Sequence, residues 1–246
     1  MALGDSITQC KTPTACYRRH LHRMFVARGL HAQWVGTMSG LYESVGGDAV
    51  RKPVSAGTPA TVSDWPLAAQ SHEGHWGWTA HQLIVGHERQ PQRSKFAGWL
   101  RQLERTHMLP DVVLLHIGTN DLTKYVVRQG APVRSVVASV YRLLARSCAH
   151  RPQVRVIVAC PIPYCRGNAS LLAHRRVLEH EYCMRLRKLV VRGVNTCPSM
   201  RLVLANMSRQ VACRHLSRDG VHPAASGARA IASMWFEILI ARHWVV

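Results

Sequence analysis

The sequence is poor in acidic residues and has no long uninterrupted apolar run. It contains 13 Asp and Glu against 32 Lys and Arg, which gives a formal charge of +19, and five of those 32 cations are lysines. The most apolar stretch, RAIASMWFEILIARHWVV at the C-terminus, is interrupted by Glu237 and Arg242. This composition argues against a membrane span and predicts a buried C-terminal helix in a globular protein.

Several motifs that would assign the chain to other classes are also missing. There is no C-x-x-C pair of the zinc-binding type, no G-x-S-x-G nucleophile elbow and no glycine–lysine phosphate loop. His72, His75 and His81 are spaced like metal ligands, but no carboxylate or cysteine completes a firm ligand set. We therefore predict neither a metal nor a cofactor.

The cations are scattered rather than clustered. No run of five or more occurs, and no aromatic residues are interleaved with them as in RNA-binding segments. The pattern predicts a solvated basic surface with incidental affinity for polyanions, such as an acidic matrix, and no specific nucleic-acid partner.

Eight cysteines, an even number, favour disulfides and an oxidising, extracellular compartment. Cys10 with Cys16, and Cys160 with Cys165, lie in or beside predicted loops where a bridge could close. Two glycosylation-type triplets, NAS and NMS, point the same way. Because Met1 is followed at once by the first predicted strand, without a signal peptide, we expect the native chain to begin upstream of Met1.

Strand-like and helix-like segments alternate along the chain. The runs DVVLLHIG, VRVIVA and RLVLA are continuously apolar, as parallel strands covered on both faces require. MALG and AQWVG read as two further short strands, and amphipathic patterns fill most of the intervals. We predict one domain, residues 1–246, with a three-layer α/β/α doubly wound parallel sheet of about five strands, flavodoxin-like, and a long loop at about 37–73.

In such a fold the carboxyl ends of the strands meet at one edge, where ligands bind. The segments that follow the predicted strands carry Ser6 in GDSIT, Gly77 in HEGHWGWT and Asn120 in GTND. RDGVHP, just before the last helix, carries Asp219 and His222. We therefore expect these five residues to converge.

These residue types suit acyl transfer. A serine needs a base within hydrogen-bonding reach and a third group that fixes the tautomer of the base. His222 would take the proton of Ser6, and Asp219 would orient the imidazole. The backbone N–H groups of Ser6 and Gly77 and the amide of Asn120 would form the oxyanion hole.

Each feature also has a simpler interpretation. Ser6 could cap a helix after a turn, Asn120 could belong to an Asx turn, and His222 could be one of 15 ordinary histidines. Trp76 and Trp78 could bind a sugar by stacking or could pack in the core, and the sequence leaves both open.

The four blocks GDSIT, HWGWT, GTND and DGVHP resemble, in order and over almost the whole chain, the conserved blocks of the SGNH or GDSL-type hydrolases. WVGT, HEGHWGW, LLHIGTND and DGVHPAASG are similar to secreted carbohydrate esterase family 3, which deacetylates acetylated xylan and related sugars. The resemblance implies Ser6 as nucleophile, Gly77 and Asn120 in the oxyanion hole, and Asp219 with His222 completing the triad.

Three functional hypotheses follow. The first is a serine esterase that removes short acyl groups, chiefly acetyl, from carbohydrate. The second keeps the triad but acts on a lipid or thioester, which a broad apolar acyl cleft would favour. The third is a basic binding protein on an inactive hydrolase scaffold. The oligomeric state is left open.

Overall fold

In the computed structural model, which describes residues 1–42, 62–88, 95–127 and 129–245, a parallel sheet forms the centre of the molecule. Its order is β2-β1-β3-β4-β5, the doubly wound order in which the chain starts in the interior and winds to both edges. The strands are β1 (Ala2–Gly4), β2 (Glu73–Gly74), β3 (Val112–His116), β4 (Arg155–Cys160) and β5 (Arg201–Asn206).

Helices cover both faces of the sheet. Alternate strand residues serve the two faces: Val113 and Leu115 belong to one apolar cluster, and Leu114 between them belongs to the other. The helices are α1 (Ser6–Gln9), α2 (Tyr17–Ala27), α3 (Ala80–Val85), α4 (Phe96–Arg105), α5 (Thr119–Asp121), α6 (Val133–His150), α7 (Ala169–Arg192) and α8 (Ala225–Ala241). Helices α2 and α8 pack on one face, and α3, α4, α6 and α7 pack on the other.

This arrangement confirms the predicted three-layer α/β fold, but one predicted strand is wrong. AQWVG (residues 32–36) has no regular structure, and the edge of the sheet is formed instead by Glu73–Gly74. Trp34 and Val35 are buried in opposite clusters, so their alternation resembles that of a strand although the segment joins no sheet ladder. Of the predicted long loop, residues 43–61 lie outside the described residues.

All eight cysteines form disulfides, which link Cys10–Cys16, Cys148–Cys197, Cys160–Cys183 and Cys165–Cys213. The first pair was expected from the sequence. Pairing Cys160 with Cys165 is wrong, because Cys160 at the end of β4 bonds to α7 and Cys165 bonds across to the segment after β5. Four disulfides are typical of proteins from oxidising compartments.

The glycine that ends β1 allows the first two elements to lie close to β3. A Cβ at Gly4 would lie 2.1 Å from the carbonyl oxygen of His116 and 2.6 Å from Oγ1 of Thr8. Any side chain there would force β1 away from β3. The fold therefore requires glycine immediately before the Asp5–Ser6 turn.

Among the described residues, no helix is long and apolar enough to cross a membrane.

Candidate active site

Ser6 lies at the carboxyl end of β1, where the chain turns into α1. Asp5 is the N-cap of this helix, and its Oδ1 accepts a hydrogen bond of 3.0 Å from the N–H of Ile7. The capping role that the simpler interpretation gave to the serine is thus filled by the aspartate. Ser6 itself is 6% exposed, and its Oγ faces the loop before α8.

His222 bridges Ser6 and Asp219 through its two ring nitrogens. Its Nε2 lies 2.8 Å from Ser6 Oγ, and its Nδ1 lies 2.6 Å from Asp219 Oδ2. With Nδ1 protonated, the imidazole donates to the carboxylate and accepts from the serine hydroxyl. The three groups predicted from sequence positions up to 216 residues apart are therefore within hydrogen-bonding distance.

The carboxylate of Asp219 is held ionised by its surroundings. Partial burial raises its pKa, but this effect is outweighed by hydrogen bonds from the backbone N–H and the ring of His222, from the N–H of Val221 and from the hydroxyl of Ser217. The net result is a pKa well below the usual range for aspartate. Asp219 therefore keeps its charge at mildly acidic pH.

The loop that carries Asp219 and His222 is fixed to its neighbours. The N–H of Ser217 donates to the carbonyl of His222 over 2.8 Å, which closes the loop on itself. The Cys165–Cys213 disulfide and a 2.8 Å bond from the N–H of Cys165 to the carbonyl of Gly220 join it to the segment after β4. The position of the imidazole thus depends on covalent and backbone contacts.

Two backbone donors near the serine have no acceptor within the part of the chain that the structure describes: the N–H groups of Ser6 and Gly77. Gly77 has φ +77°, a left-handed conformation that favours glycine. Unpaired N–H groups of this kind are what an oxyanion hole requires.

The turn around Gly77 is clamped by one segment that follows β3. Asn120 Nδ2 donates to the carbonyl of Trp78 over 3.0 Å, and Lys124 Nζ donates to the carbonyl of Gly77 over 2.5 Å. Both carboxylate oxygens of Asp121 accept from the N–H of Ala80, at 3.0 and 3.1 Å. We call this segment, residues 120–124, the clamp.

A cavity of about 320 Å³ opens beside the triad. It is lined by Ser6, Ile7, Cys10, Lys11, Thr12, Ala15, Trp76, Ser217, Asp219, His222 and Pro223. A larger cavity, of about 630 Å³, lies beside the amino ends of β1 and β3 and contains none of the predicted site residues. The three residues of the triad therefore line the smaller cavity and not the larger one.

The two predicted sugar-binding tryptophans have different surroundings. Trp78 is 1% exposed and packs in the core beside Trp99, so the prediction of substrate contact is wrong for Trp78. Trp76 stacks on His222 at 4.6 Å and on Tyr42 at 4.3 Å between ring centroids. Trp76 also lines the cavity beside the triad. Substrate contact by Trp76 stays a prediction.

Arg18 is a buried residue of the site region that the sequence analysis did not identify. Its guanidinium donates to the carbonyls of Thr8, Gln9, Gly40 and Gln70, all within 2.9 Å. Burial lowers its pKa to about 9. Arg18 thereby fixes the end of α1 behind Ser6. The amphipathic pattern of α2 does not indicate this role in the sequence.

The histidines with metal-like spacing have other contacts. His72 Nδ1 accepts from the N–H of Gly74 over 2.8 Å, and His75 Nε2 lies 3.1 Å from Glu73 Oε2. Within the described ranges, no group of three or more His, Cys, Asp or Glu could hold a metal ion.

Asp121 gives the fold a testable pH dependence. Burial raises its pKa from 3.8 to about 7, despite the bonds from Ala80. Between these two values the unfolded chain releases this proton while the folded chain keeps it, so stability falls as pH rises through this window. Asp121→Asn keeps an oxygen acceptor for Ala80 but carries no titrating group. We therefore expect the drop in melting temperature from acidic to neutral pH to be several degrees smaller in this variant than in the wild type. Thermal denaturation from acidic to neutral pH measures it.

The exposed carboxylate of Glu181 provides the control for this prediction. Glu181→Gln should leave the pH dependence of the melting temperature close to that of the wild type. An Asp121→Asn profile parallel to that of the wild type would contradict the assignment.

The sequence matches, over residues 2–230, a family model described as GDSL-like Lipase/Acylhydrolase family. Two solved structures are each 26% identical with a TM-score of 0.69, over 98% of this chain and 96% of theirs. One is an acetyl esterase mutant with acetate ion, and the other is a carbohydrate esterase family 3 from Talaromyces cellulolyticus.

A Clostridium thermocellum family 3 carbohydrate esterase is 23% identical with a TM-score of 0.63, over 98% of this chain and 94% of its own, and supports the fold alone. No curated protein matches the sequence.

Proposed function

Because this chain belongs to the GDSL-like Lipase/Acylhydrolase family and is a carboxylic ester hydrolase, we propose that it is a serine esterase that removes acetyl and other short acyl groups from carbohydrates. The observation that carries the proposal is the chain of two short hydrogen bonds from Asp219 through His222 to Ser6. Four disulfides support an extracellular location.

In the proposed reaction, the first half forms an acyl-enzyme. His222 Nε2 takes the proton of Ser6 as Oγ attacks the acyl carbon, and Asp219 stabilises the imidazolium through Nδ1–H. The carbonyl oxygen becomes an oxyanion that accepts from the N–H groups of Ser6 and Gly77 and from the amide of Asn120. His222 then returns the proton to the sugar oxygen, which leaves as the alcohol.

The second half repeats these steps with water. His222 removes a proton from a water molecule that attacks the acyl carbon, and Ser6 Oγ is the leaving group, which takes the proton back. Acetate is the product when the acyl group is acetyl. No step requires a group other than these side chains, the backbone donors and water.

The size and lining of the cavity support a short acyl group. A space of about 320 Å³ bordered by Ile7, Trp76 and Pro223 leaves little room beyond the esterified sugar unit. A cavity of this size favours a short acyl group over a lipid substrate, which would need a broad apolar cleft. The similar solved structures also support this substrate. One is named an acetyl esterase, which supports an acetyl group on the acid side of the ester, and the other a carbohydrate esterase family 3, which supports a sugar on the alcohol side.

A series of p-nitrophenyl esters tests the acyl preference. We expect kcat/KM to fall by about tenfold or more between acetate and octanoate, because extra methylenes must leave the cavity or distort it. Acetylated xylo-oligosaccharides should be deacetylated at rates at least comparable with that of p-nitrophenyl acetate. A rate that rises with chain length would instead favour the lipid hypothesis.

Lys124 is expected to act as a positioning residue for the oxyanion hole. Its ammonium holds the carbonyl of Gly77, and removing it would let the adjacent turn relax. We expect Lys124→Met to lower kcat by about 10- to 100-fold with little change in KM, since misplaced donors weaken transition-state binding. Steady-state kinetics on p-nitrophenyl acetate measure both constants.

Two further variants separate positioning from folding. Lys124→Arg should recover part of kcat, because a guanidinium can also donate to the Gly77 carbonyl. Lys188→Met, a change of the same chemistry at an exposed position on α7, should have no effect. A rise in KM with unchanged kcat would contradict the positioning role.

A further inference from the structure

Four exposed cations lie on the segments that follow the strands at the edge of the active site: Lys11, Arg166, Arg214 and Arg218, which we call the basic rim. Lys11 lines the cavity itself, and Arg218 lies in sequence between two cavity-lining residues. All four follow the carboxyl ends of β1, β4 or β5, at the edge that carries the triad. Among the described residues, none of the four has a carboxylate partner.

Among the described residues, the carboxylates at this edge have other partners or are buried. Asp219 is engaged by four donors, and Asp5 and Asp121 are fully buried. Glu179 is paired with Arg175 at 3.0 Å. Elsewhere several exposed arginines do have partners, as in Arg185–Glu181. Exposed arginines such as Arg142 and Arg187 on the helices also have no carboxylate partner among the described residues, so the basic rim is distinguished by its position at the site.

The backbone of the basic rim is held in place. Arg166 and Arg214 each follow a cysteine of the Cys165–Cys213 disulfide, and Lys11 follows Cys10 of the Cys10–Cys16 disulfide. Arg218 lies on the loop closed by the bond between Ser217 and His222. Positive charges on fixed supports lose little conformational freedom of the backbone when they bind an anion.

We infer that the substrate of this esterase is an acidic glycan, with uronic acid carboxylates on sugar units next to the esterified one. The inference rests on the proposed function and adds the charge of the substrate to it. Arginine pairs with carboxylates in a bidentate manner, and lysine supplies a compact charge at the cavity. The four cations lie on three separate segments at this edge, which suits charges that are distributed along a branched or extended sugar chain.

A nucleic acid fits the basic rim less well. Proteins that bind single strands combine positive charge with open aromatic faces on which bases stack. Trp76, which lines this cavity, already stacks on both Tyr42 and His222. Among the described residues that line the cavity, the aromatic ring is thus already engaged in stacking within the protein.

The test compares acetylated xylo-oligosaccharides that carry glucuronic acid branches with the same oligosaccharides after removal of the branches. We expect kcat/KM to be about tenfold higher for the acidic substrate at low salt. The ratio of the two kcat/KM values should fall toward one as NaCl is raised from about 0.01 M to about 1 M, because the Debye length then shrinks from about 30 Å to about 3 Å. Turnover of p-nitrophenyl acetate by the same preparation tests the proposed function separately. An active esterase without acidic preference overturns the inference alone.

A pair of charge-reversal variants locates the effect. Lys11→Glu combined with Arg218→Glu should abolish or reverse the preference. Arg142→Glu combined with Arg187→Glu makes the same change in net charge at exposed positions on α6 and α7, and should retain the preference. Equal loss in both double variants would overturn the inference in favour of a general charge effect. Inhibition by an oligonucleotide as strong as that by oligogalacturonate would overturn it in favour of unspecific polyanion binding.

Discussion

Ser6→Ala is expected to lower the turnover of p-nitrophenyl acetate by about 10⁴- to 10⁶-fold. The serine oxygen is the atom that would form the acyl-enzyme, and its hydroxyl is 2.8 Å from the base that would deprotonate it. Without it, the oxyanion donors and the cavity can only assist direct attack by water. Initial rates, and the trapping of an acetylated Ser6 in the wild type by mass spectrometry, measure the effect.

A second buried serine provides the matched control. Ser147 lies in α6, and its hydroxyl donates to the carbonyl of Leu143 within the same helix. Ser147→Ala removes an equally buried hydroxyl that is not at the carboxyl ends of the strands. The activity of this variant should therefore stay within about twofold of that of the wild type. If Ser6→Ala retained the wild-type rate, the esterase proposal would be lost, and the binding-protein hypothesis on an inactive scaffold would be favoured.

Asp219→Asn is expected to reduce kcat by about 10⁴-fold while the protein keeps its melting temperature within a few degrees. An amide that donates toward Nδ1 would favour the tautomer whose Nε2 carries a proton, and that nitrogen could no longer accept from Ser6. The wild-type carboxylate has a pKa well below its usual range, so this loss should be present at every mildly acidic or neutral pH. Kinetics over that range measure it.

Asp64 supplies the comparison for this variant. It is an exposed carboxylate that pairs with Arg19 at 2.8 Å, away from the catalytic residues. Asp64→Asn should leave kcat unchanged, since exposed ion pairs contribute little. A loss of less than tenfold in Asp219→Asn would remove the carboxylate from the proposed mechanism.

The features predicted correctly from the sequence are those that depend on chain topology. Continuous apolar runs identify parallel strands, and parallel strands bring their carboxyl ends to one edge. That rule was enough to anticipate that Ser6 and His222 would meet. It does not depend on how any individual side chain packs.

The features that the sequence analysis missed depend on contacts between distant segments. AQWVG has the alternation of a strand, but whether it joins a ladder depends on backbone partners that the pattern does not encode. Spacing along the chain suggested Cys160–Cys165, whereas the pairing depends on which loops lie together after folding. Arg18 and Lys124 read as surface cations, since nothing nearby in the sequence reveals the carbonyls that surround them.

Gly4 is required by the close packing of β1 against β3, so its presence in the opening motif does not by itself indicate activity. A chain of this fold that had lost its nucleophile would still need glycine there, because any larger residue would collide with His116. The glycine of the GDS signature is therefore required by the architecture, and the Ser6 hydroxyl two positions later is the group that the proposed catalysis needs.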